Sequence, residues 1–197
     1  MPAQAALRTD DRLRTLLREV PQPYPGRHPH RTGSGLGCRH RLYVRLPTSF
    51  CYLAAIIDDY SRYCVGWSLS KWIDTRLTLE ALTMALQTRR PCEGLIHHSD
   101  QGVQYASADY VAALEAVGAQ ISMASVGNPY ENAKAESFFR TLKMEEVYLK
   151  DYRTFEEAEE NMGEFIEEVY NKKRLHSSLG YLPPVEFEAT YVLQAGS

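Results

Sequence analysis

The sequence has no apolar run near the roughly 18 residues that a membrane-spanning helix needs, and its N-terminus lacks the apolar core of a signal peptide. It has no C-x-x-C pair. Cys38, Cys51, Cys64 and Cys92 are scattered, which reads as reduced thiols of a cytoplasmic protein and not as a zinc site. Nor is there an overall excess of positive charge: the net charge is −3 and the pI is near 6.1. That balance excludes a chain that is basic all over, and leaves room for local basic strips suited to nucleic acid. The charge is unevenly spread. Residues 1–50 carry nine arginines against three acids, a net of +6, and the remaining 13 basic and 22 acidic residues give −9.

The length, 197 residues, allows one core of about 100–150 residues plus an extension. Residues 1–20 predict a short amphipathic helix, and 21–41, rich in Pro, Gly, Arg and His, read as irregular. Order is then expected to begin. RLYVRL and FCYLAAIID are β-rich runs joined by PTS, a hairpin signal, and YCVGWSLS is a third strand entered through the turn DDYSR. DTRLTLEALTMALQTRR has helical spacing with Thr75 as N-cap; GLIHHS is a short fourth strand. SADYVAALEAVGA predicts a helix capped by Ser107 and stopped by Gly118. QISMAS is a fifth strand, the loop VGNPYENA leads to the helix AKAESFFRTLKMEEVYL, and FEEAEENMGEFIEEVYNKK predicts a last helix before a tail. The order βββαβαβα implies an α/β fold: a mixed five-stranded sheet with helices on both faces and a C-terminal helical extension. The expected division is 1–41 irregular or degenerate, 42–150 core, and 151–197 extension.

Two acids stand out within this order. Asp100 ends the fourth strand and Glu136 lies in the helix after the fifth, with 35 residues between them. Strand ends of a mixed sheet gather on one edge, where a packed helix can present a second carboxylate. Two hard oxygen ligands suit Mg²⁺ or Mn²⁺, and two such ions about 3.5–4 Å apart clamp the attacking and leaving oxygens of a phosphodiester. The competing reading of Asp100 is a strand-ending turn. Arg140 and Lys143, at i+4 and i+7 from Glu136, share its helix face and suit phosphates, although a plain Glu–Arg surface pair has the same spacing. Asn128, Tyr130 and Asn132 could contact bases or sugars, or could serve as turn and helix cap. His97 and His98 alternate across their strand, so only one can face the site, and packing is the favoured role for both.

HHSDQGVQYAS, VGNPYENAKAESFFRTLK and YNKKRLHSSLGYLPPVEFE, in this order, resemble the catalytic core of bacterial insertion-sequence transposases of the retroviral-integrase-like class. The similarity runs from about Tyr43 to Phe187. It implies a ribonuclease-H-like fold and a D-D-E triad that binds two Mg²⁺ (or Mn²⁺) ions. The implied chemistry is hydrolysis at the transposon end, then attack of the freed 3′-hydroxyl on target DNA. By position, Asp100 is the second triad acid and Glu136 the third. The resemblance further implies DNA as partner (transposon ends and target), a homo-oligomer on that DNA, a cytoplasmic location and no membrane. No helix-turn-helix is evident upstream, so end recognition points to another segment or a separate polypeptide. Arg174 and His176, in the basic-polar strip of the closing motif, are carried over as DNA-contact candidates, beside a structural reading of equal weight.

The first triad acid is missing. The family pattern is close to W-x-x-D-I-T-Y, and aligning its Tyr with Tyr43 puts His40 where the Asp should stand. Asp58 is a weak substitute, and a turn is its favoured role. One set of codons for Leu36–Arg41, read one base out of frame, gives Trp-Ala-Ala-Asp-Ile. Residues from about 27 to 42 are on that reading an out-of-frame product of a decayed gene, and the chain is expected to be inactive or severely impaired, or a remnant that only binds DNA.

Overall fold

The computed structural model describes residues 35–89, 94–99, 104–123 and 133–195, without side-chain detail at 35–41, 123 and 191–195. The helix expected at 1–20, Cys92, Asp100, Gln101, Gly102, Asn128, Tyr130 and Asn132 lie outside the described residues. Five strands form one sheet: β1 (Gly35–Arg45), β2 (Phe50–Asp58), β3 (Cys64–Ser70), β4 (Ile96–Ser99) and β5 (Gln120–Met123). Their order across the sheet is β3-β2-β1-β4-β5. β1–β2 and β2–β3 are antiparallel, β1–β4 and β4–β5 parallel, as a meander followed by crossovers requires. The helices are α1 (Thr75–Thr88), α2 (Ala108–Glu115), α3 (Ala133–Glu145), α4 (Phe155–Glu164) and α5 (Pro184–Ala195). α4 runs on into a π-helical stretch, Phe165–Tyr170.

β2 is a near-continuous apolar run because both of its faces are covered. Cys51, Leu53, Ala55 and Ile57 pack with Phe138, Phe139 and Leu142 of α3 and with Met162, Phe165 and Ile166 of the α4 stretch. Ala54 and Ile56 pack instead with Leu77, Ala81, Leu82 and Ala85 of α1 and with Tyr110, Ala113 and Leu114 of α2. Each fully buried Leu, Ile or Phe contributes about 1.5–3 kcal/mol, so the two layers account for the bulk of the hydrophobic stabilisation.

The irregular reading of 21–41 fails over its last seven residues. β1 begins at Gly35, where Gly35–Cys38 pair with Ile96–Ser99 of β4 and Leu36–His40 pair with β2. GLGCRHR has little strand propensity of its own, and its extended state comes from backbone partners on both sides. The expected N-cap of α1 moves by one residue: Asp74, not Thr75, accepts from the Leu77 N–H at 3.1 Å. Ser107 does hold the N-cap place of α2, but its hydroxyl donates to the Gln104 carbonyl at 2.9 Å. Gly118, at φ +69°, follows α2 in the left-handed conformation that ends helices. The last predicted helix is α with a π continuation, and the tail contains a further helix, α5.

Candidate active site

The elements that would carry the acids converge on β1. β4 lies beside it, and its last residue, Ser99, pairs with Cys38, one residue before Asp100 in the chain. α3 covers the other approach. AKAESFFRTLKME combines strong helix formers with apolar residues at 135, 138, 139 and 142, all buried, so the helix lies flat on the Leu42, Val44 and Leu53 layer. Glu136 and Arg140 are exposed on its outer side, and Lys143 is half-buried.

The register of β1 bears on the missing acid. Arg39 stands opposite Ala55 and His40 opposite Ala54, and then Leu42 meets Leu53, so Arg41 is the extra residue of a bulge. Opposed positions of an antiparallel pair share a face. Ala55 belongs to the layer under α3 and Ala54 to the layer under α1 and α2. The register on the α3 face is therefore position 39. Counting back from Tyr43 to His40 does not see the bulge.

Asp58 does not reach this level. It pairs with Leu36, three residues along β2 from Ala55, about 10 Å at strand rise. Its Oδ1 accepts from the N–H groups of Tyr60 (2.8 Å) and Ser61 (3.1 Å), which makes it the organising residue of the β2–β3 turn. Asp59 of the same turn holds Lys134 of α3: the ammonium pairs with the carboxylate and donates to the Asp59 carbonyl at 3.0 Å. Sequence reading passed over Lys134. The available signal was a cation in the first turn of a helix, where the macrodipole disfavours one unless an outside partner offsets it.

His97 is fully buried, with Nε2 3.1 Å from the Tyr110 hydroxyl of α2. Burial, and then the neighbouring His98, push its pKa down to about 4. His98 points the other way and meets the Ser122 hydroxyl at 3.1 Å. Tyr105, from the motif that follows Asp100, is a core residue with its ring 5.3 Å from that of Tyr110.

The closing strip is largely built into the fold. Tyr170 is buried between Phe138 (4.8 Å) and His176 (5.0 Å). Arg174 forks onto Glu145, the last residue of α3, at 2.9–3.2 Å. Burial, then Arg174 and Arg62, lower the pKa of His176, which is half-buried. Asn171 is buried and bonds both backbone groups of Cys64, accepting from its N–H at 2.9 Å and donating to its carbonyl at 3.1 Å. Asn171→Ala leaves two buried backbone groups unpaired, so a loss of roughly 2–4 kcal/mol in denaturant unfolding is expected. A change below about 0.5 kcal/mol would show that water replaces the amide there.

Against known proteins, the integrase core domain description matches residues 41–129, and a second integrase core domain description matches 117–184. The transposase for insertion sequence element IS904 of Lactococcus lactis is 43% identical over 146 residues, 74% of this chain and 58% of that protein. Transposase InsF for insertion sequence IS3A of Escherichia coli is 40% identical over 146 residues, 74% of this chain and 51% of that protein. This chain thus spans little more than half the length of either relative. In structure, the simian T-cell lymphotropic virus intasome superposes with a TM-score of 0.64 at 11% identity, over 79% of this chain and 54% of that one. The HTLV-2 integrase catalytic core domain in complex with magnesium gives 0.57 at 10% identity, over 79% and 95%. The architecture is the ribonuclease-H-like fold of integrase catalytic cores. Within that class the chain belongs to the bacterial insertion-sequence transposase family.

Proposed function

We propose that this chain is the catalytic-core part of an insertion-sequence transposase, a DDE polynucleotidyl transferase by descent that is inactive or severely impaired because its first acid is absent. The observation that carries the reading is the family match combined with an exposed Glu136 on a helix packed against β1. Among the described residues no three of His, Cys, Asp and Glu gather to hold a metal ion. The donors left to the site, Asp100 and Glu136, suit one Mg²⁺ or Mn²⁺, and neither Arg39 nor His40 supplies the hard oxygen that a second ion needs. A divalent ion held by these two carboxylates would draw charge from a phosphodiester, and one ion cannot serve both the attacking and the leaving oxygen.

The remaining groups serve DNA. Arg140 and Lys143 line the outer side of α3 beyond Glu136 and offer charge to phosphates. Asn128, Tyr130 and Asn132 precede that helix and offer amide and ring contacts to a splayed strand end. Arg174 is committed to Glu145, and we assign it to holding α3 before any DNA role. DNA ends and target, a homo-oligomer on that DNA and a separate helix-turn-helix polypeptide for end recognition complete the proposal, in the cytoplasm. No helix among the described residues is long and apolar enough to cross a membrane.

The test is a Mg²⁺- or Mn²⁺-dependent strand-transfer assay on cognate ends. It compares the chain with a version carrying Trp-Ala-Ala-Asp-Ile at 36–40, which puts the acid at 39, and with His40→Asp. The native chain is expected to fall at least about a hundredfold below the first version, the scale of losing one electrostatic group from a catalytic site. His40→Asp is expected to stay low, as the register of β1 favours 39. Robust transfer by the native chain, abolished by Asp100→Asn, would refute impairment. Nucleotide sequencing of codons 36–41 decides the out-of-frame origin.

A further inference from the structure

We infer that Lys134 is the positioning residue for Glu136: its two bonds to Asp59 fix the first turn of α3 and so set where the Glu136 carboxylate stands. This rests on the reading of Glu136 as a metal-ligating acid. Three observations on side chains and backbone carry it. Lys134 and Glu136 sit two residues apart in one turn, roughly 200° around the helix, so the lysine faces inward to the β2–β3 turn while the acid faces out. Lys134 engages both the carboxylate and the carbonyl of Asp59, a two-point hold that one ion pair alone lacks. The turn receiving it is itself fastened. Asp58 accepts from two amides of the turn, its N–H donates to the Tyr63 carbonyl at 2.8 Å, and Tyr60 packs on Phe187 of α5 at 5.2 Å.

The apolar hold on α3 starts at Ala135, and the residues that bury deepest, Phe138 and Leu142, lie a turn or more further on. The contact of Lys134 with Asp59 adds a hold on the N-terminal side of these apolar residues, in the turn that bears Glu136. A cation in that turn also opposes the helix dipole, an unfavourable local choice that the contact with Asp59 offsets. The acid is thereby tied to the C-terminal helix through one short turn: α5 to Tyr60, Asp59 to Lys134, and Lys134 to the start of α3.

The experiment uses the full chain with Lys134→Met, the exchanged pair Asp59→Lys with Lys134→Asp, and Glu136→Gln. It reads amide hydrogen exchange across 133–138 and the binding of Mn²⁺ alone by the loss of its free EPR signal. In Lys134→Met, exchange in that segment is expected to rise about fivefold and Mn²⁺ affinity to fall about fivefold, the scale of one partly exposed ion pair. The exchanged pair keeps the ion pair but not the bond to the residue-59 carbonyl, and is expected to restore both in part. The inference is overturned if Lys134→Met leaves both quantities within twofold of the native chain, or if the exchanged pair restores neither. Native Mn²⁺ binding by Glu136→Gln removes the metal reading of Glu136 and the positioning role with it. Unchanged exchange and affinity in Lys134→Met, alongside lost binding in Glu136→Gln, removes the positioning role alone.

Discussion

Replacing Gly66 by alanine is expected to unfold the protein or to lower its melting temperature by about 10 °C. Gly66 lies in β3 directly beneath α1. A Cβ built there comes 2.2 Å from the Ala81 carbonyl oxygen, 2.6 Å from the Ala85 N–H nitrogen and 2.9 Å from the Ala85 Cβ. The first two are backbone atoms inside a helical turn, so no rotamer change relieves the contact. α1 must lift from the strand, which opens the packing of Leu77, Leu82 and Leu86 against Ala54, Ile56 and Val65. Overpacking of this kind costs about 3 kcal/mol or more when backbone has to move. Thermal melts of the two proteins side by side decide it, and a melting temperature within 2 °C of native would show that the helix yields freely.

Acidification provides the second large effect. The folded pKa of His97 lies at about 4, below the ordinary value of 6.5. Below pH 6.5 the unfolded chain therefore binds the proton first, and stability falls as pH falls. The contribution is fully present above pH 6.5 and lost progressively toward pH 4. Between pH 7 and about pH 4.5 the loss amounts to about 2–3 kcal/mol. His176, whose pKa burial also lowers, adds a smaller loss of the same sign. His97→Gln is expected to flatten most of the slope in urea unfolding measured at both pH values. An equally steep slope in that variant would place the acid sensitivity elsewhere.

The two-sided burial of β2 was legible in FCYLAAIID, because a run of nine residues with hardly a polar side chain has no solvent face to offer. α1 and α3 were legible from helical spacing, and the same count put Glu136, Arg140 and Lys143 on one helix face. What the residues could not reveal is set by pairing over long distances. GLGCRHR becomes a strand through β2 and β4, and the bulge at Arg41 is visible only once the two strands are aligned. Asp58, Asp59 and Lys134 show no mutual signal in sequence, being 75 residues apart at the contact that joins the last two. Tyr105 and Tyr170 carry motif resemblance and turn out to be core aromatics, since a motif records what a family keeps without separating packing from chemistry.

The amide of Asn171 has a wider meaning. Among the described residues β3 is the last strand on its side of the sheet, and the outward row of N–H and C=O groups of such a strand is a template for another chain. Asn171 occupies that row at Cys64 with the two bonds a neighbouring strand would make there, and Trp67 further along is covered at Gly163 and bonded to Glu167. The segment after residue 150 thus closes the sheet edge at Cys64. A core cut off before that segment would leave the Cys64 backbone groups open to pairing with another chain.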